Sequence, residues 1–170
     1  GHALDDDSCP RNIFYMKALK EWTAKFQGID DAHTFEYYFD QCLFRGMYPF
    51  LPEVIIDDMQ LYQDNNIETH SSLRVAGPAI APEFNMLVFS RGLWDGELTA
   101  EAFIESIARK ISPEAPEIWR MYLSRRKDIF SKAMRMCEYE SDTYMDFRWL
   151  PENTLAFGEE MAKIYLDASV

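Results

Sequence analysis

An all-α fold is what this sequence predicts: a compact single-domain bundle of about six or seven helices, with one irregular segment over roughly residues 65–83. Three observations carry that expectation. Apolar residues recur mostly at three- and four-residue spacing, as they do on one face of a helix. Residues that start and stop helices bracket most of those runs. The chain has 170 residues and 48% hydrophobic content, enough to bury one core without a covalent staple.

Taken in order, Gly1 and His2 read as a tag remnant, and Asp5, Asp6 and Asp7 follow in an acidic segment, 1–11, expected to be disordered. A single α-helical domain is expected over 12–170. Tyr15, Leu19, Trp22 and Phe26 make the stripe of a first helix that Gly28 closes. A second helix is expected to turn Phe35, Phe39 and Cys42 inward and to end at Gly46. Pro52 suits the first turn of a third, running to about Gln63 and burying Ile55, Met59 and Tyr62.

Between 65 and 83, Asn65-Asn66, Ser71-Ser72, Gly77-Pro78 and Pro82 are turn chemistry, with room for a short extended piece near Leu73. The run Phe84 to Trp94 fits a helix begun after Pro82, or a buried strand over Met86 to Phe89, and the helix is preferred. Thr99 caps a helix with Phe103, Ile104, Ile107 and Ile111 inside. Ser112-Pro113-Glu114 opens a long one, reaching towards Cys137, with Trp119, Leu123 and Phe130 on one side. Leu150-Pro151 precedes a final helix to about Asp167.

Composition excludes several classes. Net charge is -12, whereas a nucleic-acid binder needs a basic surface, so no nucleic-acid partner is expected. No apolar run approaches the ~20 residues of a membrane span, and no membrane partner is expected either. Cys9, Cys42 and Cys137 are odd in number and widely spaced, which reads as reduced thiols in a cytoplasmic or otherwise intracellular reducing compartment. The charge is unevenly spread: residues 1–70 carry 5 basic against 13 acidic groups, residues 71–137 carry 10 against 8, and residues 138–170 carry 2 against 8.

Catalytic constellations are not legible. There is no Gly-x-Ser-x-Gly, no phosphate-binding glycine loop and no Cys-x-x-Cys. Ser71 and Ser72 follow His70, but neighbours in sequence do not face one another as nucleophile and base. Asp30-Asp31-Ala32-His33 offers one Asp-x-x-His with no second copy to complete a metal site. No catalytic residue, metal or cofactor is expected.

Three features point to partners instead. The helix from Arg120 to Arg135 gathers Arg120, Arg125, Arg126, Lys127, Lys132 and Arg135 against one acid, Asp128, and reads as a docking face for carboxylates. Glu53, Asp57 and Asp64, with Asp58 beside them, make an acidic face on the third helix. Their spacing is similar to the aspartate-rich segment that holds magnesium in terpene synthases, but that fold's second motif, Asn-x-x-x-Ser-x-x-x-Glu, does not occur here. Tyr48, Phe50 and Trp149 belong to aromatic clusters near helix ends, the composition of protein interfaces.

The expected function is a non-enzymatic helical protein–protein interaction module: an adaptor, an inhibitor or immunity-type protein, or an excised domain of a larger chain. Its partner-binding residues would be Arg120, Arg126, Lys127, Arg135, Tyr48, Phe50 and Trp149. The alternative is an α-helical pocket protein for an apolar or aromatic small molecule, with or without an unrecognised enzymatic activity.

Overall fold

The structure is a computed structural model and describes residues 4–25, 32–39, 49–74, 83–133 and the positions 156, 159, 162 and 163. In chain order its elements are α1 (Pro10–Lys25), β1 (His33–Phe39), α2 (Pro52–Asp64), β2 (Thr69–Arg74), α3 (Glu83–Gly92), α4 (Ala100–Ile111) and α5 (Pro116–Ala133). The expected all-helical bundle is therefore corrected. Among the described residues the chain has five helices and a two-stranded parallel sheet.

The second expected helix is the main correction. Its sequence, His33-Thr-Phe-Glu-Tyr-Tyr-Phe, is a strand, because aromatic and β-branched side chains suit a pleated surface better than a helix turn. β1 pairs in parallel with β2, His33 opposite Thr69, Thr34 opposite His70, Phe35 opposite Ser71 and Glu36 opposite Ser72. The register then slips between Glu36 and Phe39, and there the Tyr38 N–H donates to the Ser72 hydroxyl at 3.1 Å. Parallel strands need a crossover, and α2 provides it, giving a β–α–β unit. β2 lies within the segment expected to be irregular.

α2 ends as the turn chemistry demands. Asn66 takes φ 58°, a left-handed conformation that asparagine tolerates. Its N–H bonds the Gln63 carbonyl, and the Ile67 N–H reaches back to Tyr62. That double bond pattern is the Schellman close, with Ile67 and Tyr62 both buried as its apolar partners. The chain is thereby turned from α2 into β2 within four residues, Asn65 to Glu68.

The expectations for α2 and α3 hold, and that for α4 holds except at Ile111, which was expected inside. Ile55, Met59 and Tyr62 are buried in α2, and Phe84 to Trp94 is helical as far as Gly92. Thr99 caps α4, its hydroxyl accepting from the Ala102 N–H at 3.1 Å. Phe103 and Ile104 are buried, Ile107 is partly so, and Ile111 is exposed. Changing Thr99→Ala is expected to cost about 1 kcal/mol, with Thr99→Ser recovering most of it, measured from urea midpoints.

The core lies between α2, α3, α4 and the start of α5, where Phe39, Phe50, Phe89, Phe103 and Leu123 join the α2 stripe. Phe50 sits between Phe84 and Phe103, ring centroids 6.0 and 6.4 Å away. Asn85 is the polar centre of this region. It accepts from the Leu51 N–H and donates to the carbonyls of Tyr38 and Pro49, tying α3 to the end of β1 and the start of α2.

α1 forms where expected but not as expected: none of its residues is buried, and Tyr15 and Trp22, read as an inner stripe, are exposed. The thiol reading is also corrected, since Cys9, buried just before α1, is disulfide-bonded. Cys42 and Cys137 lie outside the described residues, as does most of the expected final helix. Of that last segment Ala156, Glu159, Ala162 and Lys163 are described, each helical and exposed. Among the described residues no helix is long and apolar enough to cross a membrane.

Candidate functional site

The parallel ribbon and the α2 crossover bring together polar groups that stand far apart in sequence. Side chains alternate along a strand, so Thr34, Glu36 and Tyr38 point inward from β1 while His33, Phe35 and Tyr37 point outward. The polarity is inverted from the usual arrangement: the inner face carries the acid and the outer face two exposed aromatics.

α2 meets that inner face with Asp58 and Tyr62. The Tyr38 phenol donates to Asp58 Oδ2 at 2.9 Å, and the Leu4 N–H donates to Asp58 Oδ1 at 3.1 Å. The Tyr62 phenol donates to Glu36 Oε1. On its other side the Tyr62 ring stacks on His70, centroids 5.5 Å apart, while His70 Nδ1 lies 2.8 Å from the Thr34 hydroxyl. A continuous chain of polar groups thus runs from the N-terminal segment through α2 and β1 to β2.

Burial dominates the electrostatics of this chain. It pushes the Asp58 carboxyl up to about 7, against the hydrogen bonds from Tyr38 and Leu4 that favour the ion. It likewise raises Glu36, opposed by the Tyr62 bond. Both phenols are held well above their ordinary value, first by burial and then by the neighbouring carboxylates. His70 is lowered, again first by burial, with the nearby His33 acting the same way and the Ile67 backbone opposing. Titratable groups perturbed together mark functional sites more often than chance.

Across the ribbon, His33 Nε2 lies 2.7 Å from Ser71 Oγ. A serine–imidazole pair is the signature of an activated nucleophile. Here Ser71 Oγ also reaches the Thr34 carbonyl at 3.3 Å, an acceptor only, so that in this arrangement serine donates there and His33 donates to serine. An imidazole that donates to the hydroxyl is not its base. Among the described residues no group of three or more His, Cys, Asp or Glu is placed to hold a metal ion.

The residues singled out in the sequence fall in different places. Lys127 is a strut between helices: its ammonium lies 2.7 Å from Glu53 on α2 and 3.6 Å from Glu101 on α4. Burial alone would lower it, but the Glu53 hydrogen bond and the charges of Glu53, Glu101 and Asp128 outweigh that and raise it. Arg120, exposed, lies 3.3 Å from Glu105. Arg126 is buried, 3.5 Å from the Tyr122 phenol. Arg135, Tyr48 and Trp149 lie outside the described residues.

Phe50 is core, 1% exposed, and offers no surface. Of the acidic face, Glu53, Asp57 and Asp64 are exposed but Asp58 is buried. Burial raises Asp57, with Asp5 and Glu53 adding to it, so these three acids crowd one spot. Exposed large apolar side chains cluster instead on α1, where Ile13, Phe14, Tyr15 and Trp22 are more than half exposed, and on β1 at Phe35 and Tyr37, with Leu87, Trp94, Ile111 and Met121 scattered singly over the later elements. Phe14 meets Tyr15 edge to face at 5.5 Å, and Phe35 meets Tyr37 the same way at 5.4 Å.

The polar chain was not legible from the residues one at a time. Glu36, Tyr38, Tyr62, His33 and His70 come together only through the parallel pairing. The available signal was two β-rich runs, 33–39 and 69–74, flanking a strong helix in the order of a β–α–β unit. Comparison with protein-family models, curated proteins and solved structures finds no match for this chain. Among the described residues, fold and site define a mostly helical protein with a β–α–β unit at the site.

Proposed function

We propose that this protein is a non-enzymatic interaction module that docks a basic polypeptide surface on its exposed aromatic side chains. One observation supports this reading above the others: among the described residues, every large aromatic left in solvent except Trp94 is on α1 or the outer face of β1. Phe14, Tyr15, Phe35 and Tyr37 there form edge-to-face pairs. Burying such side chains stabilises by roughly 1.5–3 kcal/mol each, and on α1, where Leu19 packs against the core, the exposed aromatics Phe14 and Tyr15 keep that area to offer.

The partner's chemistry follows from charge. Residues 1–70, which carry both elements, hold 13 acids against 5 bases. Arginine satisfies both features at once, because its guanidinium pairs with carboxylates and stacks on aromatic faces. The cations of α5 are a weaker choice of docking face. Lys127 and Arg120 stand against the chain's own Glu53, Glu101 and Glu105.

A random peptide library displayed against the immobilised protein tests the reading. Enriched peptides should combine arginine or lysine with apolar residues. They should bind at least tenfold more weakly to Phe14→Ser/Tyr15→Ser or to Phe35→Ser/Tyr37→Ser, each about 1.4 kcal/mol or more. Enrichment without basic residues, or equal binding to wild type and both variants, would overturn it.

A further inference from the structure

We propose that the turn between α3 and α4 is a second docking point, separate from α1 and β1, at which the indole of Trp94 receives an arginine side chain of a basic polypeptide. Trp94 is 91% exposed, more than any other large apolar side chain among the described residues. Its neighbours in the chain are not. Leu93 packs against the core and Leu98 is buried, so the turn is pinned on both sides of the indole.

Hydrogen bonds fix the frame between those pins. The Trp94 and Asp95 N–H groups both donate to the Arg91 carbonyl at 3.0 Å, the Leu98 N–H donates to the Asp95 carbonyl, and the Glu97 N–H donates to Asp95 Oδ1. Gln60 of α2 donates to the Gly96 carbonyl at 2.9 Å, and a Cβ at Gly96 would come within 3.3 Å of Gln63 Oε1. A tryptophan held outward by so closed a turn binds at little cost in chain entropy, and tryptophan is among the residues that anchor interfaces.

Charge selects the partner. The acids around the turn are Asp95, half-exposed, and Glu97, exposed, with the exposed Asp64 next to Gln63. The one base of the turn, Arg91, is occupied: it lies 3.7 Å from Asp95 and donates to the Ser106 hydroxyl at 3.0 Å. α2 and α3 both end here, at Asp64 and Gly92, and the C-terminal end of a helix carries partial negative charge. A cation is what this field attracts. Arginine suits both parts of the site, because its guanidinium plane stacks on an indole while its N–H fork pairs with a carboxylate such as Glu97. The site shares the partner chemistry proposed above but none of its residues, so the two can fail separately.

Nuclear magnetic resonance on the full chain, titrated with hexa-arginine, hexa-lysine and hexa-glutamate peptides, tests this. On adding hexa-arginine, the Trp94 indole N–H signal (assigned by its loss in Trp94→Leu) and the Glu97 amide should shift with one dissociation constant. Trp94→Leu should weaken that binding about three- to fivefold, read at the Glu97 amide, and Glu97→Gln should weaken it as well, read at the indole. Hexa-lysine should bind more weakly than hexa-arginine, and hexa-glutamate should leave both signals unmoved. Trp94→Leu changes a solvent-facing side chain and should keep the wild-type urea midpoint, so lost binding is not lost fold. Shifts at the Trp94 indole support the site whether or not Phe14, Tyr15, Phe35 and Tyr37 respond. Shifts confined to those four, or equal affinity in wild type and Trp94→Leu, overturn it. An indole that moves with phosphatidylcholine vesicles but not with hexa-arginine would make it a lipid contact and overturn it too.

Discussion

Replacing Asn85 with leucine should destabilise this protein by about 3–5 kcal/mol, although the two side chains are nearly the same size. Asn85 is 2% exposed and every polar atom of its amide is in use. Its Oδ1 accepts from the Leu51 N–H at 3.0 Å, and its Nδ2 donates to the Tyr38 carbonyl at 3.1 Å and to the Pro49 carbonyl at 2.8 Å. Leucine fills the space but leaves one buried donor and two buried acceptors without a partner. An unmet buried group costs about 1–3 kcal/mol, so the sum is large even with partial relaxation. Asn85→Asp should be as damaging or worse, because a carboxylate would face two carbonyl oxygens. Leu87→Ala, on the exposed side of the same helix, is the control and should change stability by less than about 0.5 kcal/mol. Urea unfolding measures all three, and an unchanged slope confirms that stability alone has moved. A loss below about 1 kcal/mol for Asn85→Leu would mean that water or a backbone shift replaces the amide.

Asn85 also shows how far sequence reasoning reaches here. The helix it occupies was only half legible, because Phe84 to Trp94 fitted either a helix begun after Pro82 or a buried strand over Met86 to Phe89. That Asn85 would face inward, against two carbonyls and an amide from segments 34 to 47 positions away, was not. The same division runs through the fold. α2 and α4 follow from periodicity and capping, since their inner faces are formed within one helix. β1 does not, because a strand reveals itself by alternation of polarity with burial, and here the alternation is inverted: Glu36 goes inward and Phe35 and Tyr37 go outward. Phe35 and Phe39 then imitate an i, i+4 helical pair. Asp58 was misplaced for a related reason. Glu53, Asp57 and Asp64 fall on one face at helical spacing, and Asp58, one residue beyond Asp57, is turned about 100° away from them. On α2 that rotation takes it from the solvent into contact with β1 and Leu4.

That placement sets the second large effect, on global stability. The carboxyl of Asp58 is raised from 3.8 to about 7, so folding takes up a proton between those values. A group with a raised folded value contributes stability that is fully present below the unfolded value and lost as pH rises through the folded one. Wild type should therefore be most stable near pH 4–5, as far as this residue decides it, and should lose up to about 4 kcal/mol by pH 8. Glu36, raised by burial as well, acts in the same direction. Asp58→Asn removes the titration, and its urea midpoint should exceed that of wild type at pH 8 while falling below it at pH 5, where an amide replaces a neutral acid matched to its partners. A wild-type midpoint that rises from pH 5 to pH 8, or falls as steeply in Asp58→Asn, would place the dominant titrating group elsewhere in the chain.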